Sequence, residues 1–332
     1  MLNRFYRLML FITLIILSEF YCFQAVKFIS KHTKAPISYI IWAIYFILVL
    51  LWYIIIFSFQ SLREMDNEKT LRIIIIVFFV GFLAMRIGIT FFYLLDDIRR
   101  FFTFIYQYLI PQKTLLEGTK KGISRSDFLQ SLGILLGVGI FSTLLYGIKN
   151  RYNYKLNKIK LRFDNLPQSF KNLKIIQISD IHSGSFTDKN AVQKGIDLIL
   201  KQNADLILFT GDLVNNEATE MEDYKSIFSQ LKAPLGVFSI LGNHDYGDYH
   251  NWKTEDEKIA NLEKLKQTHK QLGWKLLLDE NFILEKNNEK IALIGVENIS
   301  AKGFQNYGNM AKAYEGVQEI PFKILLSHDP SH

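Results

Sequence analysis

The chain has 332 residues, a formal net charge of +7, 49% hydrophobic residues and one cysteine. That single residue, Cys22, excludes a disulfide framework. The positive charge would suit a nucleic-acid surface, but the Lys and Arg residues gather at the flanks of apolar segments, as membrane anchors do, so no nucleic-acid partner is expected.

Four segments, about 5–28, 37–59, 71–95 and 128–148, are apolar over the ~20 residues that a bilayer crossing needs. They predict an all-α, four-helix transmembrane region over 1–150, with the lipid bilayer as its partner. The first is longer than the apolar core of a signal peptide and no small-residue cleavage site follows Cys22, so it reads as a retained helix. Pro36 suits the start of the second, where Trp42 and Trp52 serve either as interfacial anchors or as packing residues. Glu19 in the first segment and Arg86 in the third fall at similar depth along helices that run the same way. A pair, direct or through water, is expected; the alternative is that each snorkels or meets water in a polar cavity. Between the third and fourth segments, 96–127 reads as a connection bearing Arg99, Arg100, Lys113, Lys120, Lys121 and Arg125. Its aromatic 101–110 portion lies either in the membrane interface or in a packed loop. Gly133 and Gly137, four apart, permit close helix contact. Basic residues, Arg63 among them, are nearly balanced across the two sides, with a lean towards an extracytoplasmic second half.

After Lys149-Asn150-Arg151 the composition turns polar, and a second domain is read over 151–332. Residues 155–163 alternate apolar and polar, as a half-buried first strand should. Helices are predicted at about 191–202, 221–231 and 256–272, with a further strand at 274–278. Short apolar runs at 174–179, 205–210, 236–241 and 322–327 read as buried strands, and strands alternating with helices give an α/β class. A polar cluster follows each run: Asp180-Ile181-His182, Gly211-Asp212, Gly242-Asn243-His244-Asp245 and Ser327-His328. Ligand sites gather past the carboxyl ends of such strands. Asp, Asn and His are the oxygen and nitrogen donors of a divalent transition metal, although each alone would pass as a helix cap or a core residue.

The ordered set DxH, GD, GNHD and a lone His resembles the calcineurin-like metallophosphoesterase superfamily, over roughly residue 155 to the end. With the membrane half it is similar to the branch of transmembrane proteins with a metallophosphoesterase domain. The resemblance implies a layered sandwich of two mixed sheets flanked by helices, and two divalent transition-metal ions (Mn, Fe or Zn). Two such cations clamp a phosphoryl oxygen and turn a bridging water into hydroxide, which attacks a phosphoester or pyrophosphate bond. Asp212 is the expected bridge, with Asp180 and His182 on one ion and Asn243 and His328 on the other. The neutral Asn carbonyl limits the negative charge facing an anionic substrate. By analogy His244 sits over the substrate as proton donor, with Asp245 orienting its ring. The branch is close to bacterial enzymes of UDP-2,3-diacylglucosamine hydrolysis in lipid A synthesis, which implies a phosphorylated, lipid-linked substrate at a bacterial plasma membrane. The family's closing GHxH is absent from the 332 residues, so the domain is expected to be incomplete at its C-terminus. The alternative is an idle membrane scaffold or sensor that keeps the fold. Among the other histidines, His32 reads as a loop residue, His269 as part of an exposed helix and His332 as the chain end. His250 reads as surface or substrate mouth. Lys302, Phe304 and Tyr307 belong to a loop that is either ordinary or turned towards a substrate headgroup.

Overall fold

Long apolar runs close their own backbone hydrogen bonds as helices, and all four predicted segments do so. They form α1 (Leu2–Ser30), α2 (Ala35–Phe57), α3 (Lys69–Leu109) and α4 (Arg125–Asn150). Each is long and apolar enough to cross a membrane. The computed structural model describes residues 2–58, 69–109, 124–301 and 305–331 and separates into Met1–Arg151 and Tyr152–His332. Arg63, Lys113, Lys120, Lys121, Lys302, Phe304 and His332 lie outside the described residues.

The membrane unit departs from expectation in α3. The connection expected from residue 96 is helical through Leu109, which makes α3 41 residues long. At ~1.5 Å per residue that is about 60 Å, twice a ~30 Å hydrocarbon core. The acids at the point of continuation are neutralised on the helix itself: Asp96 pairs with Arg99 at 2.8 Å and Asp97 with Arg100 at 3.6 Å, each three residues on. The expected Glu19–Arg86 pair forms directly, with Arg86 Nη2 2.6 Å from Glu19 Oε1. Tyr45 donates to Glu19 Oε2 at 2.7 Å and Tyr53 to Oε1 at 3.1 Å, while Arg86 Nε donates to Ser18 Oγ. The guanidinium lies 4.5 Å from the Trp52 ring centroid. Trp52 is therefore a packing residue, buried and donating to Phe79 O. Gly133 and Gly137 of α4 lie against Phe92 and Met85 of α3, where a Cβ on either would crowd its neighbour.

In the second unit, β1 (Ile175–Ile178), β2 (Leu206–Thr210), β3 (Val237–Ile240) and β4 (Lys275–Leu276) form one wholly parallel sheet in that order. The sheet was expected to be mixed; the mixed one is the second, where β5 (Glu280–Lys286) runs antiparallel to β6 (Glu289–Gly295) and β6 parallel to β7 (Lys323–Leu326). Among the described residues, four α-helices accompany these strands: α5 (Lys189–Leu200), α6 (Lys225–Phe228), α7 (Glu255–Gln271) and α8 (Met310–Tyr314). Strand alternation sorts the core into layers. Ile207 and Phe209 of β2 face a helix-side cluster with Val192, Ile196 and Leu265. Leu206 and Leu208 face the second sheet through Ile291, Leu293 and Leu326. The far side of β6, Ala292 and Ile294, packs on Ala313 of α8.

Three local expectations fail. Residues 155–163 form no strand, and Ile159 and Leu161 stay exposed, because alternation encodes a face without supplying an edge to pair with. The helix expected at 221–231 shrinks to a 3₁₀ turn, Ala218–Met221, and the four residues of α6. His269, expected on an exposed face, is 0% exposed on α7, with Nδ1 3.0 Å from Ser239 Oγ and its ring against Phe209 and Trp274. The β5–β6 hairpin was not foreseen; it turns on Asn287 and Asn288, both left-handed at φ 51° and 63°, as a two-residue hairpin turn requires.

Candidate metal centre

The carboxyl ends of β1, β2 and β3 lie side by side in the parallel register, and the loops that follow are laced together by backbone. Asp180 N–H donates to Gly211 O, His182 N–H to Asp212 O and Ser183 N–H to Leu213 O, each at 3.0 Å. Asp180, His182 and Asp212 all take the left-handed conformation, at φ 54°, 45° and 62°. For non-glycine residues this costs about 1–3 kcal/mol each, and such strain gathers at functional sites. Gly211 and Gly242 are required by proximity. A Cβ on Gly211 would stand 2.5 Å from Gly242 N, and one on Gly242 would stand 2.7 Å from Asp212 N.

Asp245 clamps the arrangement from below. Its fully buried carboxylate accepts the backbone N–H groups of Asp212 (2.8 Å), Leu213 (2.8 Å), Val214 (3.2 Å) and Gly242 (3.0 Å). Burial and the charge of Asp212 push this carboxyl up to about 7, against the N–H donors that hold it ionised. The expected role of Asp245 as partner of the His244 ring is thereby corrected: its oxygens are committed to backbone. The His244 ring is held instead through Nδ1, 2.8 Å from Asn215 O.

Asp212 sits at the centre. Its Oδ1 accepts the His244 N–H at 2.9 Å, which fixes the carboxylate. Its Oδ2 lies 3.4 Å from His182 Nε2 and 3.4 Å from His328 Nε2. His328 donates Nδ1–H to Thr210 O at 2.8 Å, leaving Nε2 towards Asp212 and 3.0 Å from Asn243 Oδ1. A ligating histidine is oriented in this way, with the other ring nitrogen tied to a carbonyl. Burial raises the Asp212 carboxyl, but contact with His328 outweighs it and holds the group below the ordinary carboxylate range. Burial lowers the His328 imidazole, and Asp212 overrides it and lifts it to about 9. A divalent cation at this point would displace that proton.

Ligand atoms of Asp180, Asp212 and His328 lie within 4.8 Å of one another, and so do those of His182, Asp212 and His244. Asp212 belongs to both groups. The division differs from the expected one, with Asp180 beside His328 and His244 drawn in beside His182, whose ring it meets edge-on at 4.8 Å. The oxygen and imidazole donors fit divalent Mn, Fe or Zn.

Three further residues shape the centre. Asn215 O holds His244. Glu220 accepts N–H groups from Gly184, Asn215, Asn216 and Glu217, tying the loop after β1 to the loop after β2. Tyr249 touches both Asn243 and His244. Nothing in the sequence marks a backbone carbonyl or a loop-clamping acid, and Tyr249 carries no signal beyond standing next to His250. His250 itself is at the surface, 3.8 Å from Glu217 and against Trp252. Tyr307 is committed within the protein, donating to Asp248 and stacked 3.7 Å from Tyr246.

Residues 4–151 match the family described as probable calcineurin-like phosphoesterase, transmembrane domain, and residues 173–332 match calcineurin-like phosphoesterase. A transmembrane protein with metallophosphoesterase domain from Danio rerio is 24% identical over 69% of this chain and 52% of its own length. An uncharacterized metallophosphoesterase, YkoQ, from Bacillus subtilis is 27% identical over 59% of this chain and 68% of its own. The UDP-2,3-diacylglucosamine pyrophosphatase LpxG of Chlamydia trachomatis is 40% identical, over 26% of this chain and 27% of its own. The chain thus spans about half the length of the Danio relative. Matched in both halves and in this order, the chain belongs to the calcineurin-like phosphoesterases that carry a transmembrane domain.

Proposed function

We propose that the protein is a membrane-anchored, metal-dependent phosphoesterase that hydrolyses a phosphoester or pyrophosphate bond in a lipid-linked substrate. The observation that carries this reading is the Asp212 carboxylate, pinned through Oδ1 and flanked at Oδ2 by two imidazole Nε2 atoms at equal distance. Asp180, His182, Asp212, Asn243 and His328 would hold two divalent cations. Bound there, the cations supply Lewis acidity towards a phosphoryl oxygen and a water acidic enough to react near neutral pH.

The chain's own groups do the rest. Asp212 keeps its position without substrate because backbone holds it. Asn243 adds an oxygen without adding charge. His244, tied through Nδ1 to Asn215 O, leaves Nε2 for a proton at the leaving oxygen. A lipid-linked substrate suits four membrane helices on the same chain, and the LpxG relative is named for hydrolysis of such a molecule. An idle scaffold would have no use for three strained site residues.

The test is metal content and turnover of the detergent-purified chain. Asp212→Ala should lose bound Mn²⁺ and at least about 100-fold in turnover. His244→Ala should lose ~100-fold or more in turnover while keeping its metal. Unchanged metal and turnover in Asp212→Ala would sink the reading. Loss of metal in His244→Ala would make that residue a ligand, as its place beside His182 and Asp212 allows. A soluble phosphodiester cleaved faster than UDP-2,3-diacylglucosamine would remove the lipid from the proposal.

A further inference from the structure

We propose that Tyr249 is a positioning residue that holds Asn243 with its carbonyl end towards the cation; this rests on the metal reading of Asn243 given above. An Asn side chain carries an acceptor at one end and a donor at the other, nearly equal in size. Only Oδ1 can ligate a cation; Nδ2 would be repelled by it. Asn243 therefore needs something to fix its amide as well as to bring it near.

The loop beyond the GNHD turn does this. Tyr246 is buried, stacked on Tyr307 and donating to Glu297, which anchors the start of the loop. At Gly247 the chain turns left-handed, φ 73°, and its carbonyl accepts both His250 N–H and Trp252 Nε1–H, at 3.2 and 2.7 Å. The chain is thereby folded back, and Tyr249 returns over the residues it follows. Its hydroxyl oxygen accepts Asn243 Nδ2–H at 2.9 Å. With Nδ2 taken on that side, Oδ1 points the other way, to 3.0 Å from His328 Nε2. The same phenol ring lies 4.5 Å, centroid to centroid, from the His244 imidazole.

Tyr249 thus touches a metal-binding side chain and the proton-carrying one together. It is 51% exposed, so the core has no evident use for it. Truncating its hydroxyl should spare the fold and free the amide to turn.

Mn²⁺ titration of the full detergent-purified chain, read by electron paramagnetic resonance, separates the possibilities. Tyr249→Phe keeps the ring on His244 and removes only the acceptor. It should weaken Mn²⁺ binding about 10-fold, within the range for groups that orient a ligand, and raise by the same factor the Mn²⁺ needed for half-maximal turnover. Asn243→Ala should weaken binding at least as much, and adding Tyr249→Phe to it should cost nothing more. Wild-type affinity in Tyr249→Phe beside a weakened Asn243→Ala would overturn the positioning role alone. A further loss in the double variant would also overturn it, because Tyr249 would then act without Asn243. Unchanged affinity in Asn243→Ala would remove Asn243 as a ligand, and both readings of that residue would fall.

Discussion

Both units bury charge, and they neutralise it by different means. In the membrane unit Arg86 is 2% exposed, and its charge is met by side chains: Glu19 from another helix, Ser18, and the face of Trp52. In the α/β unit Asp245 is equally buried, and its charge is met entirely by backbone N–H groups from two loops. The reason is which backbone groups are free. A membrane helix has already spent its N–H groups on itself, so a charge inside it needs a side chain of opposite sign. A loop past a strand end has N–H groups to offer, and one carboxylate can collect four. The membrane solution depends on two residues matching; the loop solution depends on one residue and a shape.

Substitutions can break this contrast. The largest effect should come from Asp245→Asn, which keeps size and replaces one acceptor oxygen by a donor facing N–H donors. A loss of about 3 kcal/mol or more is expected in thermal unfolding of the α/β unit. A loss under about 1 kcal/mol would mean that the loops hold without their clamp. Next come Glu19→Gln and Arg86→Gln, each of which strands a partner inside the membrane unit. The double change should cost less than the two single changes together, by roughly 1–2 kcal/mol in a denaturation cycle. Additive losses would show that the two charges are neutralised separately.

The smallest effect concerns a group that neither unit's device protects. Burial pushes the His269 imidazole down from 6.5 to about 3, with no counter-charge beside it. As the pH falls below 6.5 the unfolded chain takes up a proton that the folded chain refuses, so stability present above 6.5 is lost progressively down towards 3. Between pH 7 and pH 6 the loss should be about 0.7 kcal/mol. His269→Leu should flatten this part of the pH profile, whatever its effect at pH 7. Parallel wild-type and variant profiles would mean that the buried ring is protonated.

The same contrast explains what could be read from the sequence. Asp180, His182, Asp212, Asn243 and His328 stood out because each follows an apolar strand, and β1, β2, β3 and β7 end within one residue of the predicted runs. Glu19 and Arg86 stood out because charge within an apolar run is rare, and helix rise alone matched their depth. Partners that are backbone leave no such trace: the commitment of Asp245 to four N–H groups and of His244 to Asn215 O was invisible. His269 was misread because its neighbours Thr268 and Lys270 are polar, although Leu265 and Leu272 mark the buried face. The Asn287-Asn288 turn, by contrast, is visible in the sequence as a pair of residues that tolerate the left-handed conformation. Glycine explains the rest, since Gly211 and Gly242 leave room for the loops of Asp212 and Asn243 to touch.

The pairing of α1 with α3 also sets an order of events during synthesis. Ser18 and Arg86 are 68 positions apart, so the ribosome delivers the carboxyl group of Glu19 well before its guanidinium. At ~5–20 residues per second the interval is about 3–14 s. Until Arg86 arrives, α1 carries an acid without its counter-charge at a depth where an ion is costly. α2, with Tyr45 and Tyr53, emerges within that gap and brings the first two hydrogen bonds to the carboxyl group. Tyr45 and Tyr53 are thus synthesised as partners for the carboxyl group ahead of Arg86, whose charge completes the cluster.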